Sequence, residues 1–224
     1  MTPLVLAALI WIVLHVGIAG TRLRGRLVSR LGEGGFRATF SLASVIAITL
    51  LVLAWRSAPT EALWTVPPVL GWVLALAMLP AFILFAGSLM STNPTAVGQN
   101  GALSEEARGV LRITRHPMLW SFALWAGVHM LGNGDSAALV FFGAFFLTAL
   151  LGMPSLDAKV AARHPRGWAR FSANTSVLPF GAVLAGLNQL SWRELAGPVL
   201  VGILAWAALL HFHPQLFGVS PLPS

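Results

Sequence analysis

The sequence predicts an all-α fold: a polytopic membrane helical bundle of about six transmembrane helices plus a short re-entrant or interfacial segment. Three observations predict it. Hydrophobic residues make up 57% of the 224-residue chain and charged residues only 9%, against about 25% charged in an ordinary soluble domain. The mean hydropathy is +0.80. The apolar residues also fall into runs of membrane length, since about 20 helical residues cross a bilayer core, and basic residues collect between alternate runs.

The first run, Pro3–Gly20, lacks a basic leader and a small-residue cleavage site and is followed by Arg22, Arg24, Arg26 and Arg30. It reads as a retained transmembrane helix, not a signal peptide. Ala38–Trp55 comes next, then Val66–Met90, in which Pro80 predicts a kink. The fourth run, His116–Leu131, is short; it either extends backwards through Arg112 or sits where the bilayer is thin. Ser136–Met153 and Leu195–His213 complete the set, with His213-Pro214 marking the expected end of the last helix. Val177–Leu190 is too short to cross and carries Pro179, Gly181 and Gly186, so it reads as re-entrant or interfacial. No internal repeat and no separate soluble domain is visible, and residues 1–224 read as one transmembrane domain. The sizeable polar surfaces are the loops Ser91–Thr114 and Ser155–Ser176.

Charge sets the expected orientation. Arg22 to Arg37, then Arg108, Arg112 and Arg115, then Lys159, Arg163, Arg166 and Arg170 occupy alternate loops, and only Arg56 falls on the other side. The positive-inside rule places the basic loops in the cytoplasm and both termini outside. The net charge of +7 is therefore read as topology, not nucleic-acid binding. The chain has no cysteine and no tyrosine. Disulfides, iron–sulfur clusters and thiolate haem ligation are excluded, and the nine tryptophans must supply the interfacial aromatic belt.

Polar groups in hydrocarbon are costly and persist where they pair, line a cavity or bind something, and imidazole is a common ligand of metals and haem iron. His129 shares its helical face with Ser121, Phe122, Trp125 and Ala126, a surface suited to a flat cofactor or to close helix packing. His15 shares its face with Ala8, Trp11, Ile12, Ile18 and Ala19. For each, ligation and a histidine merely satisfied by water or a carbonyl stand about equal. Arg115-His116-Pro117 lies where a loop enters the membrane. Proline suits a first helical position, and the two cationic side chains suit an anionic headgroup, substrate or cofactor carboxylate; an interfacial Arg anchor is the competing reading. His116 and His129 would lie about 20 Å apart along one helix and about 220° around it, so they cannot share an iron. His15 and His129 sit on different helices with a depth offset of about 13 Å, so sharing an iron requires a haem plane roughly parallel to the membrane or shifted helices. His211 competes with them, and His164 is expected to be solvated. Ser91-Thr92-Asn93-Pro94 and Asn133-Gly134-Asp135 have turn chemistry, with Asp135 a turn residue or helix cap. The stretch from Asp157 to Phe171 interleaves Trp168 and Phe171 with basic residues, as a segment on anionic lipid would.

Leu14-His15-Val16-Gly17 with Arg22-Leu23-Arg24, then Asn93-Pro94-Thr95, Ile113-Thr114-Arg115-His116-Pro117, Leu124-Trp125-Ala126-Gly127-Val128-His129 and Asn133-Gly134-Asp135 together resemble the NnrU family, from the first span to about Phe180. That resemblance implies a bacterial inner-membrane protein associated with denitrification and nitric oxide metabolism. NnrU proteins are similar in turn to the plastid zeta-carotene isomerases, which isomerise a central cis double bond using haem b. This similarity implies haem b on His15 and His129, with Arg115 and His116 pairing with a propionate or positioning substrate. It also implies redox-dependent haem chemistry, cis–trans isomerisation of a polyene or a role in nitric oxide metabolism, with an apolar small molecule or a diatomic gas as partner beside the bilayer. A fainter resemblance reaches the isoprenylcysteine methyltransferases that use S-adenosylmethionine; Arg115-His116-Pro117 matches, but Ser155-Leu156-Asp157 replaces their adjacent glutamates. A non-catalytic haem sensor or assembly factor is the third expectation.

Overall fold

The computed structural model describes residues 1–93, 103 and 106–222, and among these every regular element is helical. In order they are α1 (Thr2–Ile12), a π-helical segment Val13–Ile18, α2 (Leu23–Ser57), α3 (Pro68–Met90), a 3-10 turn Gly109–Arg112, α4 (Pro117–Asn133), α5 (Ser136–Arg163), α6 (Pro165–Ala173), α7 (Gly181–Leu184) and α8 (Trp192–Phe217). Four of them, α2, α3, α5 and α8, are long and apolar enough to cross a membrane. The first and fourth expected spans are helical over Thr2–Ile18 and Pro117–Asn133, close to their expected lengths and shorter than those four.

Several boundaries differ from the sequence expectation, each for a local reason. The helix expected from Ala38 begins at Leu23 and carries the basic stretch within it, bending at Gly32, whose φ of 71° only glycine adopts without strain. The fourth span does not extend back through Arg112. That residue closes the 3-10 turn, and the helix restarts at Pro117, because a residue before proline is pushed out of the helical region. The expected polar loop from Ser155 is instead the last part of α5, which runs through Pro154 to Arg163. The last helix does not stop at His213-Pro214. It runs on to Phe217, where Gly218 closes it at φ 76° and His213 Nδ1 bonds the Val219 carbonyl at 2.8 Å. Val177–Leu190, expected to be too short to cross, holds only the four-residue α7. Pro94 and Thr95 of the expected turn and motif lie outside the described residues.

Contacts divide the chain into two compact units, with α4 and α5 each contributing to both. The first is Met1–Val66 with Ala126–Ser155. Small residues at Ala126, Ala137, Ala138 and Ala144, all nearly inaccessible, let its backbones approach closely. Trp55 stacks on Phe141 at 4.4 Å. The Asn133-Gly134-Asp135 turn docks against the linker after α2: the N–H groups of Leu63 and Trp64 donate to the Gly134 carbonyl at 2.8 and 3.2 Å, and Trp64 Nε1 donates to the Leu131 carbonyl. Gly134 has φ 67°, and a Cβ there would lie 2.5 Å from the Trp64 oxygen, so no other residue fits. Asp135 caps α5, its Oδ1 accepting from the Ala138 N–H at 2.8 Å.

The second unit is Pro67–Trp125 with Leu156–Ser224. Its main contact is α3 against α8. Gly202 lies so close to α3 that a Cβ would sit 2.7 Å from Ile83 Cα, and Trp206 Nε1 donates to the Ala75 carbonyl at 2.8 Å. Leu84, Val110, Ile113 and Leu195 form one buried cluster, and Leu103, Ala107, Leu111, Val160 and Phe171 another. Glu194, in the first turn of α8, ties that helix to the 3-10 turn: Oε2 accepts from the Gly109 N–H at 2.7 Å and from Arg112 Nε at 2.9 Å, and Oε1 from an Arg112 Nη at 3.1 Å.

The backbone contact at Gly202 predicts a measurable cost. Gly202→Ala should lower stability by about 1–3 kcal/mol through overpacking and reduce the thermal midpoint in detergent. Gly25→Ala, where a Cβ would meet nothing within 4 Å, should be neutral or slightly stabilising. Equal midpoints for the two variants would show that the α3–α8 contact does not limit stability.

Candidate functional site

Two groups of polar side chains lie inside the apolar frame, one in each unit. In the first unit, His15 belongs to the π-helical segment. A π turn inserts one extra residue into the helical repeat and turns the following side chains to a new face; such turns recur at functional sites. Residues preceding His15 reach it directly. The Trp11 carbonyl accepts from His15 Nδ1 at 2.9 Å, which holds the proton on Nδ1 and leaves Nε2 with its lone pair. The Trp11 indole lies against the imidazole, ring centres 3.9 Å apart, and Phe40 presents to it at 5.3 Å. Trp11 Nε1 is buried with no hydrogen-bond partner among the described residues.

His129, on α4, lies against Phe142 of α5 with ring centres 4.9 Å apart. A row of rings connects the two histidines: Trp11 meets Phe145 at 5.0 Å, Phe145 meets Phe141 at 5.3 Å, and Phe141 meets Phe142 at 5.0 Å. The same contacts give relative depth. Trp11 sits beside Phe145, and Ser155 Oγ donates to the Gly20 carbonyl at 2.7 Å, so α1 and α5 run side by side in one direction. His15 is then level with about residue 149 of α5, and His129 with Phe142, an offset of about 10 Å by helix rise.

In the second unit, Arg115 and His116 converge on one carboxylate. Arg115 Nε and an Nη donate to Asp157 Oδ2 at 2.9 and 2.8 Å, and its other Nη donates to the Thr175 carbonyl at 3.0 Å. His116 Nε2 donates to Asp157 Oδ1 at 2.7 Å. The guanidinium also lies 5.3 Å from the centre of the Trp168 ring, within cation–π range. His116 is 2% exposed, and its Nδ1 is buried without a hydrogen-bond partner among the described residues. The backbone around the triplet is pinned to the segment after α6. The Arg115 N–H donates to the Ser176 carbonyl at 2.9 Å, Thr114 Oγ1 and Trp120 Nε1 both donate to the Val177 carbonyl at 2.7 Å, and the Phe180 N–H donates to the Ile113 carbonyl. An anionic ligand at Arg115 would compete with Asp157 for the same donors.

The sequence marks Arg115 and His116 but not their partner, which lies 42 and 41 positions away. The usable signal was Asp157 itself, because an acid on a membrane helix requires a cation. Trp11 entered the sequence reading only as a neighbour of His15. His211 is exposed at the far end of α8 in the second unit, its ring against Phe212, and His164 is exposed at the start of α6. Among the described residues no group of three or more His, Cys, Asp or Glu side chains could hold a metal ion.

The model of the NnrU protein family matches residues 3–221. This chain belongs to the NnrU family. It is also 27% identical over 192 residues to the chloroplastic 15-cis-zeta-carotene isomerase of Zea mays, covering 84% of this chain and 52% of that protein. It is 26% identical over 224 residues to the isomerase of the same name in Arabidopsis thaliana, covering 95% of this chain and 59% of that protein. The NnrU chain thus spans little more than half the length of these two relatives. No solved structure gives a significant match.

The clamp on Asp157 generates a stability prediction. Asp157→Asn should remove the charge that Arg115 and His116 share and cost about 3 kcal/mol, the range for breaking a buried ion pair. Thermal unfolding followed by circular dichroism would read it, and a midpoint equal to the parent would show that the cluster is solvated. Arg37→Ala, which removes a partner exposed by 56% from its pair with Glu33, should change the midpoint little.

Proposed function

We propose that this NnrU protein is a membrane-embedded cis–trans isomerase of an apolar polyene that works with haem b held by His15 and His129. The observation that carries the activity is the similarity to two 15-cis-zeta-carotene isomerases along 84% and 95% of the chain. Three features support the haem. Both histidines belong to the same compact unit. The Trp11 carbonyl on Nδ1 leaves His15 Nε2 as the ligating atom, the arrangement that fixes tautomer and ring orientation in histidine-ligated centres. The chain has no cysteine and no tyrosine, so imidazole has no competing thiolate or phenolate. The donor chemistry therefore suits a bis-imidazole haem, and the depth offset of about 10 Å between the two histidines requires a haem plane roughly parallel to the membrane or a shift of the helices.

Bound haem would supply an iron centre whose affinity for a double bond or a diatomic gas depends on its redox state. The protein's own residues would do the rest. Trp11 would hold the His15 proton on Nδ1 and stack on the imidazole, fixing its plane. Phe40, Phe141, Phe142 and Phe145 would exclude water and offer apolar ring faces to a polyene. In the second unit, Asp157 would hold Arg115 and His116 in place. With Thr2–Ile18 and Pro117–Asn133 counted beside the four long helices, the chain would cross the membrane about six times. Both termini would then lie on the side opposite the basic loops, which is periplasmic in a bacterial inner membrane.

Absorption spectra of detergent-purified protein from haem-replete cells test the cofactor. A Soret band is expected, and His15→Ala and His129→Ala should each shift or abolish it. A colourless parent protein would sink the haem reading, and spectra unchanged in both variants would move the ligands elsewhere. Turnover is tested by chromatography of a 15-cis polyene incubated with reduced protein. Conversion to the trans isomer is expected, and a haem-loaded protein without conversion would leave a sensor or assembly role.

A further inference from the structure

The basic stretch after α5 has no role in the proposed reaction. Its residues are Arg163, Arg166 and Arg170, with His164 between them, and all four are exposed. Two observations define what this surface can bind. First, α6 sends its aromatic side inward: Phe171 is 4% exposed in a cluster with Leu103, Leu111 and Val160, and Trp168 packs against the same cluster. Gly167 faces that way too, since a Cβ there would lie 3.1 Å from the Leu103 side chain. The apolar face of α6 is therefore covered by protein, not available for insertion into lipid. Second, the outward face carries charge of one sign. Arg166 and Arg170 are four residues apart and share a face, α6 contains no acidic residue, and none of the three arginines forms an ion pair with a described carboxylate. Asp157, one and a half turns before Arg163, is held by Arg115 and His116.

We infer that Arg163, Arg166 and Arg170 form a binding surface for the phosphate headgroups of anionic phospholipids. The occupant follows from position: α5 is a membrane-length helix that ends at Arg163, so α6 begins at the level where its own bilayer presents headgroups. An ordinary amphipathic surface helix binds through apolar insertion and charge together. Here the apolar half is occupied, so binding rests on charge alone, requires anionic lipid and weakens with salt. This surface stands whether or not the chain is an isomerase.

Reconstitution into bilayers containing spin-labelled phosphatidylglycerol or spin-labelled phosphatidylcholine tests it, reading the fraction of label immobilised by the protein. The parent should prefer phosphatidylglycerol severalfold at low salt and lose most of that preference at high salt. The double variant Arg166→Gln with Arg170→Gln should lose up to roughly fivefold of selectivity per arginine removed, while the double lysine variant should retain the preference. Both positions are exposed, and unchanged helical circular dichroism would confirm that the variants fold. No preference in the parent would overturn the inference. So would a glutamine variant that keeps the full preference, which would move headgroup binding to the arginines of α2.

Discussion

Asp157 is a carboxylate near the end of the long apolar helix α5, and the second unit is arranged around satisfying it. Two donors just before α4, a guanidinium and an imidazole, close on its two oxygens at 2.7 to 2.9 Å. To bring adjacent residues 115 and 116 onto one carboxylate, the chain must leave the 3-10 turn, extend through Thr114 and restart as a helix at Pro117. The segment after α6 takes up backbone groups freed by that break, the Ser176 carbonyl accepting from the Arg115 N–H and the Phe180 N–H donating to the Ile113 carbonyl, while the carbonyls of Thr175 and Val177 accept from the side chains of Arg115 and Thr114. An unpaired carboxylate in hydrocarbon would cost several kcal/mol, enough to justify this local departure from regular helix.

The first unit solves a different problem by similar means. A histidine in an apolar helix needs a partner for at least one ring nitrogen, and His15 finds it in the carbonyl of its own preceding turn. The π-helical segment and the Trp11 stack then set the direction in which Nε2 is presented. The neighbouring wall is a row of phenylalanines on α5, in which Phe141 meets both Phe142 beside it and Phe145 one turn on, edge to face. The result is an imidazole held by the Trp11 carbonyl beside an aromatic surface.

Legibility varied along the chain for identifiable reasons. The apolar runs from Val66 to Met90 and from Ser136 onwards were readable because burial in lipid requires continuous hydrophobicity. Gly134 and Asp135 were readable as a turn and cap because local backbone chemistry restricts which residues fit. Helix ends were less so. Arg22 to Arg37 looks like a loop by charge, yet basic residues have good helix propensity, and α2 continues through them. Pro214 looks like a stop, yet Gly218 is where the chain leaves the helix. Phe171 and Trp168 looked like membrane-facing aromatics, yet Phe171 is buried with Leu103, Leu111 and Val160, and Trp168, partly buried, packs against the same cluster.

Composition and periodicity by themselves determined that the chain is helical and that it is suited to a membrane, since these depend only on which residues are present and in what runs. Its motif set pointed to the NnrU family before any contact was known. Tertiary structure alone decided that Arg115 and His116 share Asp157 and that His15 is anchored by the Trp11 carbonyl in a π turn. It also decided that α6 turns its aromatic side inward. Each of these depends on which side chains are brought within a few ångströms of one another, and a one-residue change in helical register alters that geometry while leaving hydropathy unchanged.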